Sequence, residues 1–312
     1  MIAGNLVGTP IHSPGDPMTQ LELIRAVGWI SAHRTSTSWY SLSGPGSAPS
    51  LITAPFGWSL ESSPRVSQMS SEGHATDPWE RHASWWQEEF TEGADPEYEE
   101  QIIPLVAEHL AGARRVLDIG TGEGQLARLA AKLGADVVAG LDPTWAQLAA
   151  ARERAGGPVY LRGAAARLPF PDVSFDAVIA CLVFEHIEDY EEAIAEVGRV
   201  LVPGGRFLFF LNHPLLQTPN SGWIDDHILE EQYWRIGPYL TEDLSMEEVA
   251  PGVHLPFIHR PLHRYVNAMA EAGLLVERME EPAPPPGFLE RAYEYREAAT
   301  IPRLLFLRAR KR

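Results

Sequence analysis

The chain has a single cysteine, Cys181. One thiol excludes an internal disulfide framework and any multi-cysteine metal or redox site, and it fits a reducing compartment. Basic residues are scarce: 25 Lys and Arg face 42 Asp and Glu, a formal net charge of −17 with a pI near 5.0. A surface of that sign repels phosphate backbones and anionic bilayers, so neither nucleic acid nor a membrane is expected as a partner. The one basic run, Arg308, Arg310, Lys311 and Arg312, reads as a solvated end. No stretch reaches the roughly eighteen apolar residues of a membrane helix. The first thirty residues lack a basic start followed by an apolar run, so a soluble, cytoplasmic protein is expected. There is no H-E-x-x-H and no clustered Asp and His spacing, hence no expected metal.

What is present is 45% hydrophobic residues, enough for a sizeable core. Residues 1–75 stand apart: close to half are Ser, Thr, Pro or Gly, and only Leu21 to Ile30 has helical periodicity. Such a segment buries too little apolar surface to offset the entropy of ordering, and is expected to be disordered or a mis-annotated extension, with Met69 as the native start. Residues 76–112 read as an N-terminal helical cap, dense in Trp and Glu, with a helix from Glu97 to Leu110 that Pro104 kinks. Residues 113–212 alternate strands and helices: strands at 115–119, 136–141, 159–161, 175–181 and 205–211, helices at 125–133, 144–155 and 190–201. Residues 213–258, rich in Trp, Tyr, Pro and acids without a clean period, read as a substrate cap insertion. Residues 259–312 complete the sheet with a helix at 262–272 and strands at 274–279 and 304–308. The expected fold is α/β, doubly wound and Rossmann-like: a mostly parallel seven-stranded sheet with a small cap insertion.

The chemistry gathers where the first strand meets the first helix of that core. Gly120, Gly122 and Gly124 alternate across this turn, where glycine permits positive φ and close backbone approach. A dinucleotide fingerprint needs glycine at position 125, which is Gln125, so NAD is disfavoured. Asp118 beside the loop would repel a pyrophosphate and attract a cation, besides accepting hydrogen bonds from the loop itself. Asp142 ends the second strand about twenty residues on, where it can accept hydrogen bonds from ribose hydroxyls or, with Pro143, cap the following helix.

The run Asp118, Gly120, Gly122, Gly124 resembles motif I of the class I S-adenosylmethionine-dependent methyltransferases. The segment from Gly163 to Asp176 is similar to that family's G-D-A-x-x-L-P-F stretch, and Asp176 to Ile187 resembles its strand-four motif ending in Glu-His-Ile. The resemblance extends from about Trp79 to the C-terminus and is of the small-molecule, methyltransferase type 11-like kind. It implies S-adenosylmethionine as cofactor, held by Asp118, Gly120, Thr121, Gly122, Gly124, Asp142, Pro143, Ala164, Ala165 and the Cys181 backbone. Ala164 stands where the family usually has the Asp that meets the adenine amino group, so adenine contact must come from elsewhere. The implied activity is methyl transfer to a small-molecule acceptor by in-line displacement. Such a reaction needs a general base only when the acceptor is a hydroxyl or an ammonium; Glu185, His186 and His213 are the candidates. Two rivals stay open: a nucleotide-binding oxidoreductase on the same architecture, and a non-catalytic S-adenosylmethionine-binding protein.

Overall fold

The structure, a computed structural model, describes residues 78–91, 94–291 and 298–312. The expectations for residues 1–75 lie outside the described residues. Two short helices, α1 (Pro78–Arg81) and α2 (Ala83–Glu89), precede a π-helical turn (Tyr98–Ile102) that runs into α3 (Ile103–Leu110). The helical run expected at 97–110 is continuous, and Pro104 falls just after its π-helical turn. It brings no N–H to the first turn of α3, and the wider turn before it accommodates the missing donor.

The core alternates as expected: β1 (Arg115–Ile119), α4 (Gln125–Lys132), β2 (Val137–Asp142), α5 (Trp145–Glu153), β3 (Val159–Arg162), β4 (Phe175–Cys181), α6 (Tyr190–Val200) and β5 (Leu201–Asn212). The segment read as aperiodic forms two antiparallel hairpins, β6 (Gly222–Asp226) with β7 (Glu231–Arg235) and β8 (Asp243–Ala250) with β9 (Val253–His259). Then come α7 (Leu262–Glu271), β10 (Leu274–Glu280), α8 (Pro286–Arg291) and β11 (Leu304–Lys311). One seven-stranded sheet has the order β10-β11-β5-β4-β1-β2-β3, with β11 antiparallel to both its neighbours and the pairings from β3 through β5 parallel.

The sheet buries both faces, and residue alternation sorts its side chains between them. Leu208, Phe210 and Phe306 join the helices α3, α4 and α5 through Val106, Leu126 and Leu148. Phe207, Phe209 and Leu307 join α6 and α7 through Val197, Tyr265 and Met269. Each buried phenyl contributes about 2–3 kcal/mol of apolar transfer, so these two layers fix the sheet between its helices. β5 begins four residues before the expected strand start, because Phe175 pairs with Leu201 while Ala177 already pairs with Arg206, and the turn at Pro203 and Gly204 bulges out between them. The terminal basic run is not a free tail: it lies in β11, where Arg308 and Arg310 meet Glu277 of β10.

Candidate active site

At the end of β1 the chain turns through three glycines with positive φ, 70° at Gly120, 54° at Gly122 and 87° at Gly124. Glycine at 124 is demanded twice, since a Cβ there would also collide with the ring and hydroxyl of Tyr160 on β3. The same tyrosine and Thr121 leave no room at Gly140, where a Cβ would stand 2.7 Å from Tyr160 Cδ1 and from Thr121 Oγ1. The loop's own N–H groups turn inward. Gly120 and Thr121 donate to Leu141 O at 2.7 and 3.1 Å, Gly122 to Asp142 Oδ2 at 2.8 Å, and Gly124 to Thr121 O at 2.8 Å. Donors spent in this way do not form a phosphate cradle.

Thr121 Oγ1 donates to Asp118 Oδ2 at 2.7 Å. Burial nonetheless raises the Asp118 carboxyl to about 7, with the Thr121 hydrogen bond opposing the shift. Glu123, buried within the loop, accepts from Arg128 and Arg154 at 2.6 Å each, and Arg154 also reaches Thr91 Oγ1 at 3.1 Å. Asp142 is wholly buried; its Oδ1 accepts from Thr144 N at 2.8 Å and its Oδ2 from Gly122. It therefore ties the glycine loop to the residue that opens α5. Gly163 N donates to Asp142 O, which brings Ala164 and Ala165 to the same edge beside Pro143.

Over this edge lies the N-terminal helix pair. Glu80 accepts from Trp145 N and Ala146 N at 2.7 and 2.9 Å, completing the N-terminus of α5, and Gln87 Nε2 donates to Gln147 Oε1 at 3.0 Å. The helices carry an aromatic chain: Phe90 stacks on Trp86 at 4.2 Å, Trp86 meets Trp79 edge-on at 6.3 Å, and Trp79 meets His186 at 5.2 Å. Trp86, Phe90 and Tyr98 close a cleft whose other wall is Asp118, the glycine loop, Gln125, Leu126 and Cys181. The sequence pointed to this helix pair through its density of Trp, but not to which rings enter the cleft.

Cys181 ends β4 and lines the cleft with Tyr98, and burial pushes its thiol well above its ordinary pKa. Thiolate chemistry is thereby disfavoured. Two residues later a 3-10 turn (Phe184–His186) holds the candidate bases. Asn212 donates to Glu185 Oε1 through both its backbone N (3.1 Å) and its Nδ2 (2.8 Å), while the buried Oε2 has no hydrogen-bond partner among the described residues. Burial raises Glu185 to about 7, with the Asn212 hydrogen bonds and Arg260 opposing. Glu185 does not cap the helix that follows. His186 Nδ1 donates to Pro256 O at 2.7 Å, and its ring stands edge-on to Phe257 at 4.5 Å.

His213, the third candidate base, is held at both ring nitrogens. Leu215 N donates to its Nδ1 at 3.2 Å and its Nε2 donates to Glu281 Oε1 at 2.7 Å, so both ring nitrogens are engaged. Burial lowers its pKa, with Glu281 opposing. Position after a strand end made it reachable in principle, but the partner at Glu281 lies 68 residues away in sequence and had no local signal. Arg260 was also missed: its guanidinium donates to the carbonyls of Phe184, Ile187 and Glu188 and lies 4.3 Å over the Tyr190 ring, fixing the turn that carries Glu185.

Comparison with known proteins agrees with this architecture. A family described as a methyltransferase domain matches residues 117–209. Over 122 residues the chain is 41% identical to a demethylmenaquinone methyltransferase of Thermus thermophilus, a match covering 37% of this chain and 54% of that protein. Over 170 residues it is 38% identical to a ubiquinone/menaquinone biosynthesis C-methyltransferase of Methylobacterium nodulans, covering 52% of this chain and 64% of the other. The crystal structure of an S-adenosylmethionine dependent methyltransferase from Mesorhizobium loti superposes with a TM-score of 0.59 at 30% identity, covering 67% of this chain and 96% of that one. The chain belongs to the class I S-adenosylmethionine-dependent methyltransferases. It spans about half the length of the first curated relatives it matches.

Proposed function

We propose that this protein transfers the methyl group of S-adenosylmethionine to a small-molecule acceptor at the carboxyl edge of its sheet. The observation that carries this reading is the cleft between the glycine loop and the N-terminal helices, where the Asp118 carboxyl stands in one wall and Trp86, Phe90 and Tyr98 form the other. An amino acid end that bears an ammonium beside a sulfonium complements such a wall, and a pyrophosphate does not. The inward-turned loop amides argue the same way against a dinucleotide. Asp118, Gly120, Thr121, Gly122, Gly124 and Cys181 would hold the amino acid part, with Asp142 and Pro143 toward the ribose and Ala164 and Ala165 toward the base.

When bound, S-adenosylmethionine supplies an electrophilic methyl group on sulfur. The protein's share is to align the acceptor and exclude water. Trp79, Trp86 and Phe90 form the dry wall, and Asn212 and Arg260 orient Glu185, whose Oε2 accepts the acceptor's proton where one must leave. His186, donating from Nδ1, presents its lone pair on Nε2 as the alternative base. Relatives named as quinone C-methyltransferases support an apolar, planar acceptor as one member of this class. Calorimetry with S-adenosylmethionine, its demethylated product and NAD tests the cofactor, and labelled methyl transfer to a metabolite panel tests catalysis. Binding of NAD alone would favour the oxidoreductase; cofactor binding without turnover on any acceptor would favour a non-catalytic protein.

A further inference from the structure

The cap hairpin of β8 and β9 folds its inner face over the active-site edge, and a carboxyl sits on that face. Glu247 stands opposite Leu255 in the ladder, and Ser245 stands opposite Phe257, so these four side chains share one face. Leu255 and Phe257 belong to the same apolar cluster as Cys181, Tyr98 and Trp79, and Phe257 touches His186. Glu247 Oε1 accepts from Ser245 Oγ at 3.2 Å; its Oε2 is buried with no hydrogen-bond partner among the described residues. Glu185, 4% exposed, presents a second such oxygen from the sheet side. A carboxyl left in apolar surroundings with one oxygen unmatched is costly, and an aliphatic residue would serve the hairpin better.

The arginines that bear on Glu185 and Glu97 are already committed. Arg260 donates to three carbonyls and Arg303 pairs with Glu97 at 3.2 Å, and Glu97 Oε2 has no hydrogen-bond partner among the described residues. Among the described residues, the uncharged indole N–H of Trp234 is an unfilled donor on the cap. The inner face of the hairpin thus offers a carboxyl oxygen without a matching cation, on the face that carries Phe257 to His186. A hydroxyl would bring one donor and no charge, whereas an ammonium brings several donors and the charge. We propose that the methyl acceptor carries a protonated amine on an apolar or aromatic frame, and that Glu247 is the specificity-determining residue that receives it. This rests on the methyltransferase reading above.

The test uses matched probes, phenethylamine and phenethyl alcohol, titrated calorimetrically into protein saturated with S-adenosylhomocysteine. Wild type should bind the amine about tenfold or more tightly than the alcohol, and Glu247→Gln should erase that preference while S-adenosylhomocysteine affinity stays within about twofold. Ser245→Ala, which removes only the hydroxyl on Oε1, should keep the preference and guards against a folding artefact in the first variant. The proposal is overturned if the alcohol binds as tightly as the amine, if neither binds, or if Glu247→Gln keeps the preference. Methylation of a naphthohydroquinone with no amine preference would overturn it and leave the methyltransferase reading intact. Failure to bind S-adenosylhomocysteine at all would overturn both.

Discussion

Replacing Glu185 by Gln removes a charge that the folded chain holds at a cost. Burial raises this carboxyl from 4.5 to about 7, so the folded state binds its proton more tightly than the unfolded chain does. A raised carboxyl contributes most to stability below its unfolded value, and that contribution is lost as pH rises from 4.5 toward 7. The interval corresponds to about 2–3 kcal/mol between pH near 5 and pH near 8, an order-of-magnitude figure for so buried a group. Glu185→Gln should therefore gain about 2 kcal/mol on wild type at pH near 8 compared with pH near 5; the cost of its new amide N–H is the same at both pH values and cancels. Urea unfolding at the two pH values, with the slope held constant, measures it. Turnover in the same variant should fall by about a hundredfold or more if Glu185 takes the acceptor's proton, and wild-type turnover should rise with pH through about 7. Parallel pH dependence of stability in the two proteins would refute the argument, because it would mean that Glu185 is not held in a desolvated site.

Asp142→Ala should weaken S-adenosylmethionine binding by about 1–3 kcal/mol in calorimetry, and should also lower the melting temperature, since the carboxylate holds both Gly122 N and Thr144 N. Gly124→Ala should cost more than about 2 kcal/mol in urea unfolding, because φ is 87° and Tyr160 occupies the space; an unchanged midpoint would show that β3 gives way. His213→Gln should leave turnover within about threefold while reducing stability by about 1–2 kcal/mol, as both ring nitrogens serve Leu215 and Glu281; a collapse of turnover would restore His213 as a base. Arg154→Met should loosen the glycine loop and the turn at Thr91 together, seen as weaker cofactor binding and faster amide exchange near residue 91.

Local sequence alone determined the alternation of strands and helices from β1 to β5, the glycine turn and the acid that ends β2. Each of these depends on period, on backbone permissiveness or on spacing within about thirty residues, so no distant partner had to be known. The hairpins of the cap were missed because β7 and β8 are largely exposed and carry no alternation of apolar with polar residues strong enough to read. Only the tertiary structure supplied the partners of the candidate bases. Glu281 engages His213, Asn212 holds Glu185, Arg260 holds the turn that carries it, and Phe257 of the β8–β9 hairpin meets His186, all through contacts between segments far apart in the chain. A side chain's chemistry is set by what surrounds it, and burial and partnership are properties of the packed molecule that a local pattern of residues does not contain.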